Sequence, residues 1–193
     1  GRKAGCQGGG EGGGPVEAGQ DRWQTVAASA IPYEEGGHTP HAWTEDEIGE
    51  VVEHFADAAR RAASVGFDFI EIHGAHGYLL FQFLSPLSNH RDDDYGGSLE
   101  NRMRFPLEVF DAVRAAFPQE QAVSVRVSAT DWTQGGWMLE DTIAFAQALE
   151  RRGCDALNVS TGGLHITQDI PLALSYQVPF ARRIKDAVTM PVV

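Results

Sequence analysis

The sequence predicts an α/β fold built on a parallel sheet, and three observations point there. Short apolar strands alternate with helical stretches at intervals of roughly 30–50 residues. The helices end at Gly66, Pro118 and Gly153, residues that stop a helix and turn the chain toward the next strand. Each strand also sets an aliphatic face against a face that becomes polar toward its end. Ile70 and Ile72 oppose Glu71 and His73; Val123, Val125 and Val127 oppose Ser124, Arg126 and Ser128; Leu157 and Val159 oppose Asn158 and Ser160. A doubly wound sheet is covered by helices on both faces and would read more uniformly apolar. A barrel with a polar site at its C-terminal mouth accounts better for the alternation. Such a barrel needs about 250 residues and the chain has 193. The expectation is a partial (β/α)8 TIM barrel.

Two regions differ in composition. Residues 1–43 read as a glycine-rich irregular segment, because the run from Gly8 to Pro15 cannot hold a helix or strand interior. No strand precedes that run and no helix follows it, so it lacks the setting of a phosphate-binding loop. Residues 44–193 read as the partial barrel. Thr44 and Glu47 form a capping box. Ile48, Val51, Val52, Phe55, Ala58, Ala59 and Ala62 then recur at helical spacing up to Gly66. A strand is expected over 67–73 and a polar loop over 85–98. A helix follows over 99–117, with a kink or late start at Pro106. Further strands are expected over 122–128 and 154–160, and helices over 139–152 and 178–188. Residues 190–193 read as the start of another strand.

Fifteen basic against 27 acidic side chains give a formal charge of −12. A surface this acidic repels phosphate backbones and excludes nucleic acid as a partner. No apolar run approaches the roughly 18 residues of a membrane span, and no apolar signal segment is visible. A cytoplasmic location is expected. Cys6 and Cys154 show no disulfide or metal-binding spacing. The chain begins with Gly1, and a processed or truncated start is expected.

The densest chemistry is His73-Gly74-Ala75-His76-Gly77-Tyr78. It falls at a strand end, where barrel active sites lie. The glycines let the chain turn tightly, so His76 and Tyr78 can return toward His73. Two imidazole N–H groups converging on one oxygen would stabilise negative charge developing there, and a phenol beside them can supply a proton. An ordinary strand-end turn is one alternative. A metal site using His73, His76 and Glu71 is another. Arg126 points inward late in its strand, where burial requires a partner. That partner is either Glu71 on the neighbouring strand or an anionic ligand. The loop over 85–98 is long enough to be a lid or a structured cover. Trp132 and Trp137, flanking Gly135 and Gly136, would wall a pocket or close the barrel end.

These residues resemble the old yellow enzyme family of FMN-dependent oxidoreductases, nearest its bacterial ene-reductase and NADPH dehydrogenase branch. The matching stretches are GFDFIEIHGAHGYLLFQFLSPLSNHRDDDYGGSLENRMRF, VSVRVSATDW and CDALNVSTGG, with GRKA, EGGGP and WQTVAASAIP before them. The resemblance covers nearly the whole chain. It implies a central fragment of an FMN-binding (β/α)8 barrel, roughly barrel strands four to seven. Its early flavin contacts and the phosphate-gripping loops after strands seven and eight lie outside the chain. Gly9 and Gly10 stand where the family often has Pro-Trp. By position, His73 and His76 would bind the carbonyl oxygen of an unsaturated carbonyl substrate and Tyr78 would protonate the alkene. Arg126 would face the flavin and favour its anionic reduced form. Arg2 and Lys3 would fall near the site mouth. NAD(P)H would reduce the flavin. The alternatives are a non-catalytic remnant without flavin and a metal-dependent barrel hydrolase using His73 and His76. Homo-oligomerisation of the intact enzyme is left open.

Overall fold

The computed structural model describes residues 24–33, 36–166 and 168–193. The glycine run at 8–15, Arg2, Lys3 and Cys6 lie outside the described residues. The segment read as irregular carries some strand structure: β1 (Val26–Ala27) and β2 (His41–Ala42) pair in parallel. Their exits are clasped by one side chain. Arg91 Nη1 donates to the Ala28 carbonyl at 3.0 Å and to the Trp43 carbonyl at 2.5 Å.

Helix α1 (Glu45–Ser64) starts on the expected capping box. The Thr44 hydroxyl accepts from the Glu47 amide at 3.2 Å and Glu47 Oε2 accepts from the Thr44 amide at 2.8 Å. Gly66, at φ +84°, ends the turn beyond it, a conformation that costs a residue with a Cβ. Strand β3 (Phe69–Gly74) follows. The short helix α2 (Leu79–Leu84) is not legible from periodicity, because LLFQFL sets a single polar residue, Gln82, among five apolar ones and is wholly buried from Leu80 onward. Helix α3 (Leu99–Ala116) starts at the Ser98 cap and runs through Pro106, so there is no late start.

Strand β4 (Ala122–Ser128), helix α4 (Leu139–Glu150), strand β5 (Ala156–Ser160) and helix α5 (Val178–Lys185) complete the elements. The sheet order is β3-β4-β5, all parallel. The residues expected to begin another strand lie against β5. Leu157 bridges Val192, and the Val159 amide donates to the Val193 carbonyl at 2.7 Å. Helices α1 and α3 pack together, and Phe81, Phe83, Phe105, Phe110, Phe145 and Trp137 fill the core at 2% exposure or less. Trp137 lies edge-on to Phe81 and Phe145 and therefore closes the core.

The loop over 85–98 is a structured cover. Asn89 Nδ2 donates to the carbonyls of Phe83 and Tyr95 at 2.7 and 2.8 Å, and Arg91 pairs with Asp93. Among the described residues no helix is long and apolar enough to cross a membrane.

Candidate active site

The polar strand faces form one layered surface. Glu71 accepts from Ser124 Oγ at 3.0 Å and from Asn158 Nδ2 at 3.3 Å, so the three strands share that face as their alternation implied. One rung further on, register aligns His73 with Arg126 and Arg126 with Asn158. Glu71 is therefore not the partner of Arg126 among the described ion pairs. Arg126 is half-buried, and its Nε is buried without a hydrogen-bond partner among the described residues.

Beyond β3 the chain turns through His76 at φ +59° and Gly77 at φ +71°. The turn is wedged in place. The His76 amide donates to Ser128 Oγ at 3.0 Å, and that hydroxyl donates to the Gly162 carbonyl at 2.8 Å. A Cβ on Gly163 would stand 2.7 Å from His76 Cα, so the β5 exit packs directly on the turn. Gln82 Nε2 donates to the Gly77 carbonyl at 2.8 Å, and Tyr78 stands at the N-cap position of α2. The His73 ring lies 5.2 Å from the His76 ring and 5.2 Å from the Tyr78 ring, centroid to centroid. The three expected rings thus stand together, beside Arg126. An open hollow of about 430 Å³ is lined by Phe55, His73, Tyr78, Leu79 and Leu80.

Burial, and next the Arg126 guanidinium, hold the His73 imidazole below its ordinary pKa, with Glu71 opposing. A neutral His73 donates one N–H and leaves its second nitrogen as an acceptor. His76 Nε2 lies 2.7 Å from Ser160 Oγ. Gln177 Nε2 donates to Ser160 Oγ and Thr161 Oγ1, both at 3.2 Å. Sequence parity had put Ser128 and Ser160 on the inward face, but nothing in it assigned them to His76. Gln177 gave no local signal at all. Trp132, at φ +54°, packs against Tyr176 and Phe180. Among the described residues no group of three or more His, Cys, Asp or Glu side chains could hold a metal ion.

The parallel sheet thus carries two imidazoles, a phenol and an arginine at its C-terminal rim. The chain belongs to the NADH:flavin oxidoreductase / NADH oxidase family, whose model matches residues 12–193. It is 46% identical over 176 aligned positions to an NADH:flavin oxidoreductase of Gibberella zeae, covering 84% of this chain and 43% of that one. It is 45% identical over 164 positions to the NADPH dehydrogenase of Bacillus subtilis, covering 85% and 48%. Among solved structures, morphinone reductase matches with a TM-score of 0.70 at 34% identity, over 87% of this chain and 48% of that one. A 2-naphthoyl-CoA reductase complex matches with a TM-score of 0.78 at 27% identity, over 84% and 25%. The chain spans about half the length of the curated relatives it matches.

Family membership implies FMN and NAD(P)H as cofactors. The residues present suit that group. The Arg126 Nε–H, buried in the rim layer with no partner among the described residues, fits the electron-rich edge of a flavin ring.

Proposed function

We propose that this chain forms the catalytic part, roughly barrel strands four to seven, of an FMN-dependent ene-reductase. The substrate class is α,β-unsaturated carbonyl compounds, with NAD(P)H as the source of electrons. The observation that carries this reading is the clustering of the His73, His76 and Tyr78 rings next to Arg126, whose Nε has no hydrogen-bond partner among the described residues.

FMN, when bound, supplies a hydride to the alkene. The chain's own residues do the rest. His73 and His76 hold the substrate carbonyl oxygen through imidazole N–H groups and stabilise negative charge as it grows there. Ser160, with Gln177 behind it, orients the His76 ring. Tyr78 delivers a proton from its hydroxyl to the alkene carbon. Arg126 would lie against bound FMN, where its positive charge would favour negative charge on the ring. The braced turn sets the backbone at His76 and Gly77 before substrate arrives, so little reorganisation is needed there during reaction.

The test is reconstitution of the protein with FMN, followed by titration with a phenol, which mimics the charge-bearing oxygen. His73→Ala should raise the phenol Kd about tenfold, as the loss of one hydrogen bond to an oxyanion implies. Tyr78→Phe should slow turnover of 2-cyclohexenone while leaving phenol affinity within about twofold. Unchanged phenol affinity and turnover in both variants would remove these side chains from their roles.

A further inference from the structure

Helix α2 is a strut between two anchored ends. Tyr78 occupies its N-cap position without a side-chain cap bond, and at its C-terminus the Ser85 amide donates to the Phe81 carbonyl. Near Tyr78 the anchor is Gln82 on the Gly77 carbonyl. At the far end, Ser85 Oγ donates to Asp131 Oδ2 at 2.5 Å. Asp131 lies three residues beyond β4, and its Oδ2 also accepts the Trp137 amide at 2.7 Å. The Trp137 ring in turn stands edge-on to Phe81, in the middle of α2, at 6.4 Å. Asp131 has no solvent exposure, and its Oδ1 has no hydrogen-bond partner among the described residues. A buried carboxyl with an unpartnered oxygen is costly as mere packing.

We propose that Asp131 is a positioning residue for Tyr78, acting through Ser85 and along α2 to set where the phenol stands at the rim. The mechanical link stands on its own; its effect on turnover rests on the reading of Tyr78 as proton donor. Burial pushes the Asp131 carboxyl up to about 6, against the opposing Ser85 and Trp137 hydrogen bonds. Its titratable neighbours are His165, on the β5 exit, and Asp141, in the first turn of α4. Helix α2 contributes no charged side chain. Above that pH the carboxylate is a charge-assisted acceptor for Ser85; below it the neutral acid holds the hydroxyl more weakly.

Amide hydrogen exchange over residues 77–85, corrected for the intrinsic pH dependence of exchange, tests the link in the full chain. Between pH 8 and 5 the wild type should lose protection threefold or more, with a midpoint near 6. Asp131→Asn and Ser85→Ala should show the lower protection throughout, without a step. A step that persists in Asp131→Asn, or protection unchanged in both variants, overturns the proposal. In the FMN-loaded protein, both variants should slow the 2-cyclohexenone step fivefold or more relative to the NADPH step. Tyr78→Phe/Asp131→Asn should be no slower than Tyr78→Phe. Loss of protection together with a normal rate in Tyr78→Phe would confirm the link and reject the proton-donor role of Tyr78. Additive rates in the double variant would overturn the positioning role.

Discussion

His76 and Ser160 stand 84 residues apart in the chain, yet His76 Nε2 lies 2.7 Å from Ser160 Oγ. The contact reaches from the end of β3 across β4 to the end of β5. It ties the imidazole to the far strand, so the ring is held by sheet geometry. Ser160→Ala removes that contact but leaves Gln177 bonded to Thr161 and the Tyr176 hydroxyl. One neutral hydrogen bond is worth about 1 kcal/mol, roughly fivefold in affinity. The phenol Kd of the FMN-loaded protein should rise by about that factor while the melting temperature moves by only a few degrees. A phenol isotherm that overlays the wild type would show that Ser160 does not orient His76.

His73 gives a pH prediction with a definite sign. Its folded pKa is depressed, first by burial and then by Arg126. Stability linked to His73 is therefore complete above the unfolded value and is lost as pH falls through about 6.5 toward the folded value. In Arg126→Gln the His73 midpoint should rise, because one unfavourable charge is gone. It should remain below that of a free imidazole, because burial persists. An NMR titration of the His73 ring protons checks this. A midpoint that falls, or does not move, would mean that the guanidinium does not act on the ring.

Gly163 offers a steric test of the turn. Its φ is +95°, and a methyl group on its Cα would stand 2.7 Å from His76 Cα. Alanine there is strained twice over, in backbone and in space. Gly163→Ala should destabilise the fold by about 1–3 kcal/mol and displace His76. Thermal unfolding reads the first effect and phenol titration the second. A variant with wild-type stability and affinity would mean that the β5 exit yields freely and does not brace the turn.

How much of this was legible in the sequence depends on range. Local signals held: the Thr44–Glu47 box is present as expected, and the alternation over 122–128 coincides with β4. The His73-to-Tyr78 cluster could be located because the strand and its glycines mark it within a few residues. Its partners could not. Glu71 is a candidate partner for Arg126 until register is known, and pairing puts His73 opposite Arg126 and Glu71 opposite Ser124. Helix α2 is hidden because six residues, five of them apolar, are too few to show a period. Gln177 and Arg91 act on segments more than ten residues away, and no local pattern encodes such a reach.

Arg91 supplies the last prediction. Its side chain is 9% exposed and it bonds the carbonyls of Ala28 and Trp43 as well as the Asp93 carboxylate. It therefore joins β1, β2 and the cover loop through one planar fork. Lysine keeps the charge but cannot reproduce the fork, so Arg91→Lys should strand at least one buried carbonyl and cost about 3 kcal/mol. For a domain of this size that is a fall of about 6–12 °C in melting temperature. The hydrogen bond from Arg91 is also the first cause that holds the Asp93 carboxyl below its usual range. A depressed carboxyl contributes stability above its unfolded value, about 3.9, and that contribution fades as pH falls through the lower folded value. Acid unfolding of Arg91→Lys, followed by circular dichroism, should begin at higher pH than in the wild type. Coincident acid transitions, together with an unshifted melting temperature, would place the clasp elsewhere.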